Sequence, residues 1–184
     1  MPQREVDLYP HVYDFLELRF REQVKPLRGD LRAISAITAT AGGSGTGIWS
    51  KPDLCFVALW RHKFGMRWKL DIHGFEVKPK GRCSADSVHE ALNHTSHVHY
   101  THLVWHKPDW DASNKACAEL YSHCRRFGVG LITIDDPSAA NTYTVRLEAE
   151  RQDPTGDAVD EFLETRLPED RKQLLLDWLG ELRR

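Results

Sequence analysis

The chain has 184 residues, 41% of them hydrophobic and 28% charged, with a formal net charge of -2. That length and apolar content suit one domain with a full core, and the composition excludes a disordered, collagen-like or coiled-coil chain. No apolar run is long enough to cross a bilayer and residues 1–10 lack the apolar stretch of a secretory signal, so the reading is a cytoplasmic protein with no membrane partner.

Residues 5–22 carry Val6, Tyr9, Val12, Tyr13, Leu16 and Phe20 at helical spacing, with Pro10 near the first turn, where proline is tolerated. Residues 31–40 read as a strand, and the glycine-rich stretch 41–47 as a loop. A strongly apolar strand over 53–61, a turn at 63–65 and a second strand over 67–78, broken near His73-Gly74, suggest an antiparallel hairpin. A loop at 80–84 leads to a helix over 85–97 and a short buried strand over 100–106. The helix at 113–127 is stopped by Gly128 and followed by a buried strand at 129–134 and an edge strand at 141–149. Two helices, 157–167 and 169–182, flank Pro168. The order predicts an α/β domain with a mixed sheet, a meander first and helical crossovers after it.

Charge is unevenly spread. Arg61, Lys63, Arg67, Lys69, Lys78, Lys80 and Arg82 make the middle basic, while acids outnumber bases beyond Arg146. A local phosphate-binding face is compatible with the near-neutral total. Cys55, Cys83, Cys117 and Cys124 form no CxxC pair, which removes a zinc ribbon and a redox motif, and Cys55 reads as a small core residue.

Chemistry concentrates in Pro52-Asp53 and Glu76-Val77-Lys78. Strand alternation puts Glu76 and Lys78 on one face and Val77 in the core opposite, and a hairpin brings Asp53 near both. Charges buried on a sheet face are costly unless paired or bound to metal. A hard divalent cation relieves repulsion between the two carboxylates, and Mg²⁺ or Mn²⁺ with a lysine beside it is the equipment of phosphodiester hydrolysis. The bland alternative is a turn followed by a surface salt pair.

This constellation resembles the PD-(D/E)xK nuclease superfamily, with Pro52-Asp53, then 22 residues, then Glu76-Val77-Lys78. The resemblance implies a restriction-endonuclease-like αβββαβ core over residues 1–150, with 151–184 an acidic helical C-terminal extension. Its layout is most similar to the archaeal Holliday-junction resolvases. By that similarity Asp53, Glu76 and Lys78 are catalytic, and Glu5 and the Val77 carbonyl join Asp53 and Glu76 as metal ligands. Ser44, in the glycine loop, and Lys80 and Arg82 are the candidate nucleic-acid contacts, and a homodimer or protein partner is in keeping with the family. Where superfamily members often carry a glutamine and an aromatic four residues later, this chain has Glu90 and His94, a departure from the pattern. The resemblance implies a Mg²⁺- or Mn²⁺-dependent endonuclease acting on DNA; the rival reading is an inactive nuclease-like module that binds nucleic acid or assists assembly. The crowd of His89, His94, His97, His99, His102 and His106 raises zinc, but His89-Glu90 fails HExxH because the next histidine is one residue too far.

Overall fold

The computed structural model describes residues 3–26, 29–39, 51–65 and 67–182. A six-stranded mixed sheet runs in chain order: β1 (Gly29–Ile37), β2 (Leu54–His62), β3 (Lys69–Lys78), β4 (Tyr100–His106), β5 (Gly130–Ile134) and β6 (Tyr143–Leu147). β1, β2 and β3 form an antiparallel meander, β3, β4 and β5 are parallel, and β6 returns antiparallel at the edge. The protein is therefore an α/β fold. Its parallel strands are joined by α3 (Ala85–Asn93) and α4 (Lys115–Phe127), the crossovers that parallel pairing requires.

On one face lies the N-terminal helix, made of α1 (Tyr9–Phe15), a π-helical turn (Leu16–Phe20) and α2 (Arg21–Val24). Its Val12, Phe15, Leu16 and Phe20 pack on Phe56, Phe75, Val77 and Ile132, and Phe20 meets Phe56 and Phe75 edge-on at 5.4 and 5.2 Å. On the other face α3 and α4 cover Leu103 and Leu131. Beside them α5 (Gly156–Arg166) and α6 (Glu169–Leu182) bring Val159, Phe162, Leu167 and Leu175 onto Ile34, Cys55, Val57 and Ile72. The C-terminal helices thus share a core with the meander. Among the described residues no helix is long and apolar enough to cross a membrane.

Several boundaries differ from the sequence expectation, each for a local reason. β3 runs unbroken through His73-Gly74, because both strand neighbours pair there, Cys55 and Thr101 opposite Gly74. The strand expected to reach residue 40 ends at Ile37, since the next two N–H groups turn to the Asp53 carbonyl. α3 stops at Asn93 rather than 97 and passes into a 3-10 turn, His94–Ser96; the Thr95 and Ser96 hydroxyls donate to the Leu92 and Asn93 carbonyls, bonds that compete with further helix. α4 begins two residues later than expected because Asn114 is its cap, accepting from Ala116 and Cys117 N–H. Gly128, at φ 67°, closes it in the left-handed conformation that suits glycine.

Candidate functional site

The site forms where β2 begins and β3 ends. The Pro52-Asp53 backbone is clamped from both sides. Asp53 N–H donates to the Phe75 carbonyl (2.9 Å), its own carbonyl accepts from Thr38 and Ala39 N–H (2.8 and 3.0 Å), and the Thr38 hydroxyl donates to the Pro52 carbonyl (2.6 Å). Gly74 makes this approach feasible: a Cβ there would lie 3.2 Å from both Pro52 Cβ and Val98 Cγ2. β2 pairs with β3 only as far as Phe75, so the Val77 N–H is free of that ladder and donates to Asp53 Oδ2 at 2.8 Å. The other carboxylate oxygen accepts from the Tyr9 hydroxyl at 2.5 Å.

Glu76 and Lys78 project from the opposite face to Phe75 and Val77, as strand alternation requires. Lys78 Nζ lies 2.7 Å from Glu76 Oε1, 3.0 Å from Glu5 Oε1 and 2.7 Å from Glu90 Oε2, the last an ion-pair contact poorly angled for a hydrogen bond. His94 Nε2 is 3.5 Å from Glu76 Oε2. These groups, with Tyr9, Asp53 and Lys51, surround a cavity of about 380 Å³.

Four carboxylates face two lysines here, and burial makes that excess expensive. Burial, with Asp53 adding to it, pushes the Glu76 carboxyl up to about 8. Burial raises Asp53 to about 6 against the Tyr9 and Val77 hydrogen bonds, which favour its anion. Burial pulls the Lys78 ammonium down, but Glu76, Glu90 and Glu5 reverse this and hold it above its ordinary value. His94 is drawn down to about 3 by burial and by Lys78, so it is neutral.

The donor chemistry fits a hard divalent cation, since Asp53, Glu76 and Glu5 offer carboxylate oxygens with surplus negative charge. As they stand, however, Lys78 takes the centre of the carboxylates, and among the described residues no three His, Cys, Asp or Glu side chains form a group that could hold a metal ion.

The structure brings Asp53, Glu76, Lys78, Glu5, Glu90 and His94 to one cavity. Val77 contributes its N–H to Asp53, while its side chain is buried in the core against the N-terminal helix. Lys80 and Arg82 are exposed on the turn after β3 and do not line the cavity. Ser44 lies outside the described residues. The sequence reading missed Tyr9 and Lys51. Tyr9 sits four residues after Glu5, the separation that stacks side chains on one helical face, and Lys51 directly precedes Pro52-Asp53; both signals were available. The histidines disperse: His94 joins the site, His99 Nδ1 accepts from Ile72 N–H, and His73 pairs with His102 on the other side of the sheet. No protein-family model matches the chain, and neither a curated protein nor a solved structure is significantly similar to it.

Proposed function

We propose that the protein is a Mg²⁺- or Mn²⁺-dependent endonuclease of the PD-(D/E)xK kind that hydrolyses phosphodiester bonds in DNA. The observation that carries this reading is the convergence of Asp53, Glu76 and Lys78 on one cavity from a hairpin whose third strand leads through a helix into a parallel fourth. The helix–meander–helix–strand order is in keeping with a restriction-endonuclease-like core. Asp53 and Glu76, with the Val77 carbonyl and Glu5, would hold the cation. Bound there, the ion would supply Lewis acidity toward the phosphate and toward water.

The chain's own residues do the rest. Tyr9 O–H and Val77 N–H fix the Asp53 carboxylate and favour its charged form. Lys78, released from Glu5 and Glu90, orients the attacking water and offsets phosphate charge. Glu90 and His94 complete the wall of the cavity on the side of α3, where Glu76 keeps Lys78 beside it at 2.7 Å once Glu90 lets go. Exposed Lys80 and Arg82 supply phosphate contacts beside the site, so binding falls steeply with salt.

The test is incubation with plasmid and branched DNA in Mg²⁺ or Mn²⁺, beside Lys78→Ala. Cleavage that needs the cation and drops in the variant supports the reading; cleavage undiminished in Lys78→Ala or in excess chelator refutes it. A second reading, a nuclease-like module that binds nucleic acid without cutting it, is favoured by Lys78 already neutralising Glu5, Glu76 and Glu90. Retention of DNA with no cleavage in either cation decides for it.

A further inference from the structure

The face of the sheet that carries Phe75 and Val77 has a second cavity, of about 330 Å³, beyond the end of α2. The helix stops at Val24 and leaves the last half of β2 and the first residues of β3 and β4 open there, floored by Asp71, His73 and His102 and walled by Trp60, Tyr100 and Phe20. None of these residues lines the Asp53–Lys78 cavity, and Asp71 and His73 lie on the opposite side of β3 from Glu76 and Lys78.

The floor is rigid and polar. His73 stacks on Tyr100 at 4.5 Å and 9°, and on His102 at 5.4 Å and 21°. His73 Nδ1 and His102 Nε2 are 3.1 Å apart, so one ring donates to the other, the direction depending on their tautomers. His102 Nδ1 is buried and makes no hydrogen bond. The Asp71 carboxylate, in a residue only 6% exposed, accepts from the Trp60 indole N–H at 2.6 Å and from Arg151 Nε at 3.3 Å. Each of its oxygens retains a second acceptor direction. Burial keeps both imidazoles uncharged. Trp60, His73 and His102 close the edge of the core against Phe20, Phe56 and Phe75, and with Asp71 they also line the cavity. This sets a carboxylate, two neutral imidazoles and an indole around one space, the few convergent polar groups on aromatic walls that a small-molecule site requires.

A second cleft adjoins it and shares Trp60, Asp71 and Tyr100, but adds Lys69 and Arg151. Lys69 Nζ lies 4.9 Å over the Trp60 ring, and no carboxylate pairs with it among the described residues. The inner cavity is thus aromatic, with the Asp71 carboxylate at its floor and Glu148 on its wall, and the outer cleft carries Lys69 beside an Arg151 that pairs with Asp71 and Asp153. Its size is at the low end of small-molecule pockets and suits a single base.

The geometry points to a nucleotide site: a base stacks against Trp60 and Tyr100 and donates N–H groups to Asp71, while its phosphate rests on Lys69 and Arg151. Guanine fits best, because its ring N–H and amino group are parallel donors that a carboxylate accepts together. The same chemistry serves a free nucleotide or one base of a single strand. The site does not depend on the cleavage reading, since it uses other residues and is measured in chelator with no metal present.

Calorimetric titration of the full chain with guanosine 5′-monophosphate, guanosine and uridine 5′-monophosphate tests it. The guanine monophosphate binds with micromolar affinity and at least tenfold more tightly than the uridine one. Asp71→Asn weakens it about tenfold. Lys69→Ala, an exposed change that leaves the fold alone, removes the advantage of the monophosphate over the nucleoside. A thymine-tract oligonucleotide holding one guanine identifies the source: tighter binding than the free monophosphate assigns the site to a strand, weaker binding to the free nucleotide, and either supports the nucleotide chemistry. No binding at millimolar concentration, or equal affinities for the parent and Lys69→Ala with both ligands, overturns the proposal.

Discussion

Replacing Lys78 with methionine keeps the volume of the side chain and deletes its charge. The ammonium is the shared partner of Glu76, Glu90 and Glu5 at 2.7, 2.7 and 3.0 Å, in a side chain only 9% exposed. Removing one partner of a buried ion pair costs about 3–5 kcal/mol, because the remaining charge is left uncompensated. Glu5 and Glu90 are open enough to be hydrated, so the cost falls mainly on Glu76, whose side chain is 11% exposed and which already titrates near 8. A carboxyl raised in the folded state contributes stability below its unfolded value, and that contribution is lost as pH rises toward the folded value. Without Lys78 the folded value climbs further, so the loss widens with pH. Urea unfolding of parent and Lys78→Met should differ by about 3–5 kcal/mol at pH 9 and by only about 1–2 kcal/mol at pH 5, where Glu76 is protonated in both. Equal differences at the two pH values, or a variant as stable as the parent at pH 9, would show that Lys78 does not neutralise a buried carboxylate and would refute the reasoning.

Tyr9→Phe removes a hydrogen bond that favours the Asp53 anion, so in the metal-free protein the Asp53 carboxyl, already raised to about 6 by burial, should titrate at still higher pH when followed by carboxyl NMR. His73, His94 and His102 are held neutral by burial, and a histidine with a lowered folded value loses stability as pH falls below about 6.5, where the unfolded chain takes up the proton first. Asp53 and Glu76 oppose this loss between pH 8 and 5, so the clean readout is a difference: His102→Asn should lose about 1–2 kcal/mol less than the parent on acidification from pH 6.5 to 5 in urea titrations. Phe75→Ala empties a fully buried site between Phe20 and His102 and should cost about 3–5 kcal/mol, measured the same way; a cost below about 1 kcal/mol would mean the cavity collapses.

The sequence by itself determined the alternation that places Glu76 and Lys78 on one side of β3 with Val77 opposite, and the position of Asp53 at the mouth of the neighbouring strand. These follow from the two-residue period of a strand and the short reach of a hairpin, both local properties of the chain. The six strands, the crossover helices and the cap at Gly128 were legible for the same reason. Only the tertiary structure decided that one lysine gathers Glu5, Glu76 and Glu90, which are separated by up to 85 residues along the chain. It also decided that Tyr9 restrains Asp53, that Lys80 and Arg82 stay outside the cavity, and that α5 and α6 close the core over the meander. No period encodes such meetings, because they depend on which faces are left uncovered once the sheet has formed. The same holds for His73 and His102: one falls on each of two parallel strands, and only the β3–β4 register sets their rings side by side beneath the open end of the first helix.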